Sequence, residues 1–129
     1  VRRLALPALV AALMLSACNT GPKPSGGAPS AHSQAVALLQ RVNSSAHDCW
    51  LKDADFAAYG IVPELDTSAT PRLLLVPRGK PQALPNLVIA ASGRSVQTYG
   101  PLAQSALAPR INADVARWAG GSKDCRAAA

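Results

Sequence analysis

Aromatic side chains are scarce in this chain: one Phe, two Tyr and two Trp make up 4% of its 129 residues. No basic stripe interleaves with them, which argues against nucleic acid as a partner. Histidine is nearly absent too. His32 and His47 are the whole supply, too few for an imidazole-based metal centre, and no metal or other cofactor is expected. No Gly-x-Ser-x-Gly elbow occurs that would mark a serine hydrolase. Gly26-Gly27 lies among Pro and Ser residues, with none of the strand-to-helix context of a phosphate loop. No internal repeat is visible. The longest apolar run, residues 4–15, falls well short of the ~20 residues that span a bilayer. No catalytic set emerges, so a non-enzymatic protein is expected.

That short apolar run is nonetheless informative. Arg2 and Arg3 precede it, and Leu15-Ser16-Ala17-Cys18 closes it. A positive start, an apolar stretch of secretory length and small residues before a cut are the parts of a signal peptide. With Cys18 in the last position, the layout resembles a bacterial lipoprotein signal peptide and its lipobox. The resemblance implies cleavage before Cys18, acylation of its thiol and new amine, and a location in the cell envelope. One acyl chain anchors marginally, whereas two or three hold firmly. Asn19 follows the cysteine. The absence of Asp there leans toward the outer rather than the inner membrane, with the protein on the periplasmic face. The domain organisation expected is a removed signal over 1–17, a lipidated tether over 18–30 and one small domain over 31–129.

Residues 19–30 suit a tether. They are rich in Gly, Pro and Ser and carry no apolar periodicity. About a hundred residues follow, enough for a single core. Thirteen Lys and Arg against seven Asp and Glu give a net charge of +6. Loss of Arg2 and Arg3 with the signal makes the mature chain milder by two charges. A mildly basic domain at a membrane can meet anionic headgroups or acidic polymers.

Three cysteines complete the arithmetic. With Cys18 assigned to lipid, Cys49 and Cys125 form an even pair in an oxidising compartment, where a disulfide is the natural outcome. The bridge would close a loop of about 77 residues, worth on the order of 4 kcal/mol in the chain-entropy model.

A first helix is expected from Ser30 or Ser33, either of which can cap it, to about Cys49. Ala35, Leu38, Leu39, Val42 and Ala46 share one face at helical spacing. Residues 52–59 can hold a short helical turn capped by Asp53. Residues 60–66 read as a strand or an extended loop, with Pro63 confining any strand to an edge. Residues 72–76 and 87–91 are apolar strands, and 96–99 alternates as a further strand after a tight turn at 92–95. The 87–91 run is apolar throughout, which predicts cover on both faces. A second helix carries Leu107, Ile111, Val115 and Trp118 as its stripe. Pro109 either kinks it or sits in its first turn, and Gly120-Gly121 stops it. The fold class is therefore α/β of the α+β type. Two helices pack on a small, mainly antiparallel sheet of three or four strands, in the order α-β-β-β-α, clamped by the disulfide.

Several residues invite chemistry. His47-Asp48-Cys49 has the composition of a thiol-enzyme triad, but sequence neighbours rarely converge as a triad must. Asp48, Asp53 and Asp55 near His47 lack the ligand spacing of a calcium loop and read better as a solvated acidic turn. Glu64 and Asp66, on one extended segment, would lie ~7 Å apart, within the range of inverting glycosidases. Arg72, Arg78, Lys80 and Arg94 fall at strand ends and can form a basic rim for an anionic partner, or simply discourage edge pairing. The expected role is a membrane-anchored binding or structural domain whose partner is an envelope protein or an anionic envelope polymer. Two alternatives remain: a lipid-tethered hydrolase or enzyme accessory, and an inhibitor-type domain that presents the Pro-braced loop 78–84 to a periplasmic enzyme.

Overall fold

The computed structural model describes residues 30–66 and 69–126. The signal segment, Cys18 and all of the tether except Ser30 lie outside the described residues.

Helix α1 spans Ala31–Cys49. Its start follows from Ser30, whose hydroxyl accepts from the Ser33 amide at 3.1 Å, satisfying one of the orphan donors of the first turn. Ala35, Leu38, Leu39, Val42 and Ala46 are all buried, so the expected stripe is the core face. The chain then tightens into two single 3-10 turns, Trp50–Lys52 and Ala54–Phe56. Asp53 caps the second by accepting from the Asp55 amide at 2.9 Å.

Four strands follow: β1 (Tyr59–Glu64), β2 (Arg72–Pro77), β3 (Leu87–Ser92) and β4 (Ser95–Tyr99). They form one antiparallel sheet in sequential order β1-β2-β3-β4. β1 is an edge strand, as Pro63 requires. A two-residue turn joins β3 to β4, with Gly93 at φ +57°. After β4 the chain reverses at Gly100, where φ is +107° and a Cβ would stand 3.0 Å from the Asn86 carbonyl oxygen. Glycine is the residue that suits both that conformation and that approach. A 3-10 turn, Pro101–Gln104, leads to helix α2, Ala108–Ala119. Pro109 sits in its first turn, where its missing N–H costs nothing, so the helix begins there and is not kinked. Its end is a Schellman motif: Gly121, at φ +105°, donates to the Trp118 carbonyl, and Ser122 donates to that of Arg117.

Cross-strand register fixes the faces. Leu73, Leu75, Leu87, Ile89 and Ala91 point to one side and join both helices in a single core cluster. Val62, Leu74, Val88 and Tyr99 form a row across the other side. Both helices pack on the first side. The expected cover on both faces of the third strand is met at Val88, which is buried on the outer side, as is Val76, with no helix above them among the described residues. Side chains on adjacent strands approach to within about 5 Å, and Val88 lies between Leu74 and Tyr99 in the register.

Cys49 and Cys125 form the expected disulfide, with Cα atoms 5.3 Å apart and a sequence separation of 76. It ties the end of α1 to the chain leaving α2. Observed and expected architecture agree in class, with one strand more than the minimum.

Candidate functional site

The core beside the disulfide is aromatic. Trp50 stacks on Phe56 with ring centroids 4.6 Å apart and meets Trp118 at 5.1 Å. All three rings are fully buried. Most of the chain's few aromatics are therefore spent at one junction, where α1, the 3-10 turns and α2 meet. Trp50 Nε1 donates to Asp114 Oδ2 at 2.8 Å, and Trp118 Nε1 donates to the Asp124 carbonyl at 2.8 Å. Buried indole N–H groups need such partners.

A charged network surrounds this junction. The Asp114 carboxylate, almost fully buried, also accepts from Arg117 at 2.6 Å and lies 3.5 Å from Arg110 Nε. Arg110 reaches Asp53 at 2.8 Å and Asp55 at 3.0 Å, and its guanidinium stands 5.1 Å from the Phe56 ring centroid. The hydrogen bond from Arg110 holds the Asp53 carboxyl below the usual carboxylate range, assisted by the Asp55 amide. Its bond to Asp53 in turn raises the Arg110 guanidinium. The network fastens α2 to the segment after α1 and commits the acidic turn to arginine. Among the described residues, no group of three or more His, Cys, Asp or Glu side chains is placed to hold a metal ion.

The other candidates separate. Cys49 is half of the disulfide, so the His47-Asp48-Cys49 run has no free thiol to act as nucleophile. His47 is exposed. Glu64 accepts from the Arg72 guanidinium, closest at 3.1 Å, because the β1–β2 register sets the two opposite each other. That bond raises the Arg72 guanidinium. β1 ends at Glu64 and the chain bends at Asp66, so the period-two relation between the two carboxylates does not carry through. The proposed basic rim is split as well. Arg72 and Arg94 lie at one end of the sheet. Arg78 and Lys80 lie at the other, beyond Pro77, roughly 20 Å away along a six-residue strand. In the loop after Lys80, Leu84 is 89% exposed.

A surface not evident in the sequence lies along α1. Two open pockets of about 490 and 590 Å³ share Ala37 and Arg41 and together make a groove between α1 and the end of α2. Arg41 stands in its middle and donates to the Ala119 carbonyl at 2.7 Å, satisfying a terminal acceptor of α2. Lys123 lines one pocket and Arg94 the other, with Asp48 as the groove's one carboxylate among the described residues. Neither Arg94 nor Lys123 is in an ion pair among the described residues. Gln34, Gln40, Ser44 and Ser122 supply neutral hydrogen-bonding groups along the walls. Such a trough can hold an extended anionic chain by charge at both ends and polar contacts between. Of the four basic residues expected from sequence, Arg94 alone belongs to it. Arg41 and Lys123 were missed, because only the packing of α1 against α2 brings them together.

No family model, curated protein or solved structure matches this chain. Among the described residues, no helix is long and apolar enough to cross a membrane.

Proposed function

We propose that this chain is a cell-envelope lipoprotein, anchored through acylated Cys18, whose small domain binds an anionic envelope polymer in the groove between α1 and α2. The observation that carries the binding reading is the groove's charge: three cations, Arg41, Arg94 and Lys123, face one carboxylate. The anchor reading is supported by the Cys49–Cys125 bridge. Persistent disulfides belong to oxidising compartments, and this one leaves Cys18 as the single cysteine available for lipid. The Gly/Pro/Ser segment then serves as the tether, and the outer membrane is the favoured site.

Two measurements test this reading. Metabolic labelling with a fatty acid marks the intact chain and not Cys18→Ala; unlabelled protein of unchanged size contradicts the anchor. Co-sedimentation with isolated peptidoglycan sacculi, rich in stem-peptide carboxylates, is expected at low ionic strength and lost at high salt, because exposed charges are screened within about 10 Å at 0.1 M. Protein left in the supernatant at low salt contradicts the groove's assignment.

A second reading rests on Leu84, the most exposed large apolar residue described. It makes loop 78–84 an inhibitor-type probe for an envelope enzyme. Leu84→Asp then abolishes capture of that enzyme from solubilised membranes, whereas unchanged capture removes the reading.

A further inference from the structure

The two edges of the sheet are guarded differently. The Ala91 amide donates to the Pro71 carbonyl, and the Arg78 amide donates to that of Ala58. Together with the strand register, these bonds fix which backbone groups point outward. On β1 the outward residues are Tyr59, Ile61 and Pro63, and Pro63 has no donor, so that edge cannot be extended by a full ladder. On β4 the residues bonded to β3 are Ser95, Gln97 and Tyr99, which leaves the backbone N–H and C=O groups of Val96 and Thr98 pointing away from the sheet. This edge carries no proline and no charge within Ser95–Tyr99.

We infer that β4 pairs with β4 of a second copy of this chain, antiparallel and centred on Gln97, to give a continuous eight-stranded sheet. The register is self-complementary. With Gln97 opposite Gln97 of the second copy, Val96 of each chain exchanges both backbone hydrogen bonds with Thr98 of the other. Every outward N–H and C=O of the two residues then has a partner, which a solitary edge leaves to water. Tyr99, 48% exposed, comes to lie beside Ser95 of the second copy. The two Arg94 side chains end about 20 Å apart, beyond the screening length, so charge does not oppose the pairing. Asn112, which bonds Thr98 beneath the edge, and Ala116 one turn further along α2 are neutral as well. The inference is independent of what the groove binds.

Disulfide trapping in the full chain tests it. Gln97 would form a non-hydrogen-bonded pair across the two-fold, with Cα atoms about 4.5 Å apart, inside the range a disulfide accepts. Ser95 would lie about 14 Å from its own counterpart, outside that range. Mild oxidation of membranes therefore converts Gln97→Cys to a covalent dimer, while Ser95→Cys stays at the level of the unmutated chain. Both positions are exposed or at the strand rim and leave the core intact. The absence of a dimer at position 97 overturns the inference. So does equal cross-linking at both positions, which signals unspecific collision, or a product heavier or lighter than two copies, which signals a different partner on the edge.

Discussion

Trp50 and Asp114 are joined by a 2.8 Å hydrogen bond inside the protein, across 64 residues of sequence. The bond links the residue after Cys49 to the middle of α2, close to where the disulfide makes its own link. The carboxylate is held by two arginines besides. A buried charge of this kind is tolerable only while it is fully partnered.

Removing the carboxylate should therefore be costly. Asp114→Ala leaves the Trp50 N–H without an acceptor and two guanidinium groups short of a counter-charge, and is expected to cost about 3 kcal/mol. Asp114→Asn keeps an acceptor for the indole and should cost less. Urea denaturation followed by tryptophan fluorescence reads both. Equal, small losses would show that the network contributes little.

The disulfide predicts a larger effect. Cys49→Ser with Cys125→Ser should lower stability by about 4 kcal/mol through the freed unfolded chain. Each kcal/mol moves the midpoint of a domain this size by about 4–8 °C, so Tm should fall by more than about 15 °C. A drop of only a few degrees would mean that the aromatic junction holds without the bridge.

Acid should weaken the contact between Arg110 and Asp53. The folded-state carboxyl titrates below its ordinary value, so the unfolded chain binds the proton more readily. Its contribution is complete above the unfolded value, about pH 4, and is lost as pH falls through the lower, folded one. Stability measured from pH 6 down to pH 2 should fall less steeply in Asp53→Asn than in the unmodified protein. Parallel curves would contradict the assignment.

Local features were largely legible in the sequence. The α1 stripe, the Ser30 cap, the edge placement of Pro63, the stop at Gly120-Gly121 and the Cys49–Cys125 pairing all follow from short-range pattern or from cysteine arithmetic. The features that failed to show were those set by register and by packing between helices. Arg72 is expected in a basic rim, yet the β1–β2 register places it against Glu64. The length and composition of the connection between those strands do not specify that register. Arg41, Arg94 and Lys123 are far apart in sequence, and only the seating of α1 beside the end of α2 makes them one surface. Asp114 draws no notice in the sequence, because its partner Trp50 lies 64 residues away.

Charge reversal at matched sites separates binding in the groove from attraction by overall charge. Arg94→Glu with Lys123→Glu inverts the two groove cations that make no ion pair among the described residues. Arg78→Glu with Lys80→Glu makes the same change in net charge at the far end of the sheet. In co-sedimentation with peptidoglycan sacculi at low ionic strength, the first pair should abolish binding and the second should leave most of it. Equal losses would show that the protein responds to its overall charge and that the groove is not the site.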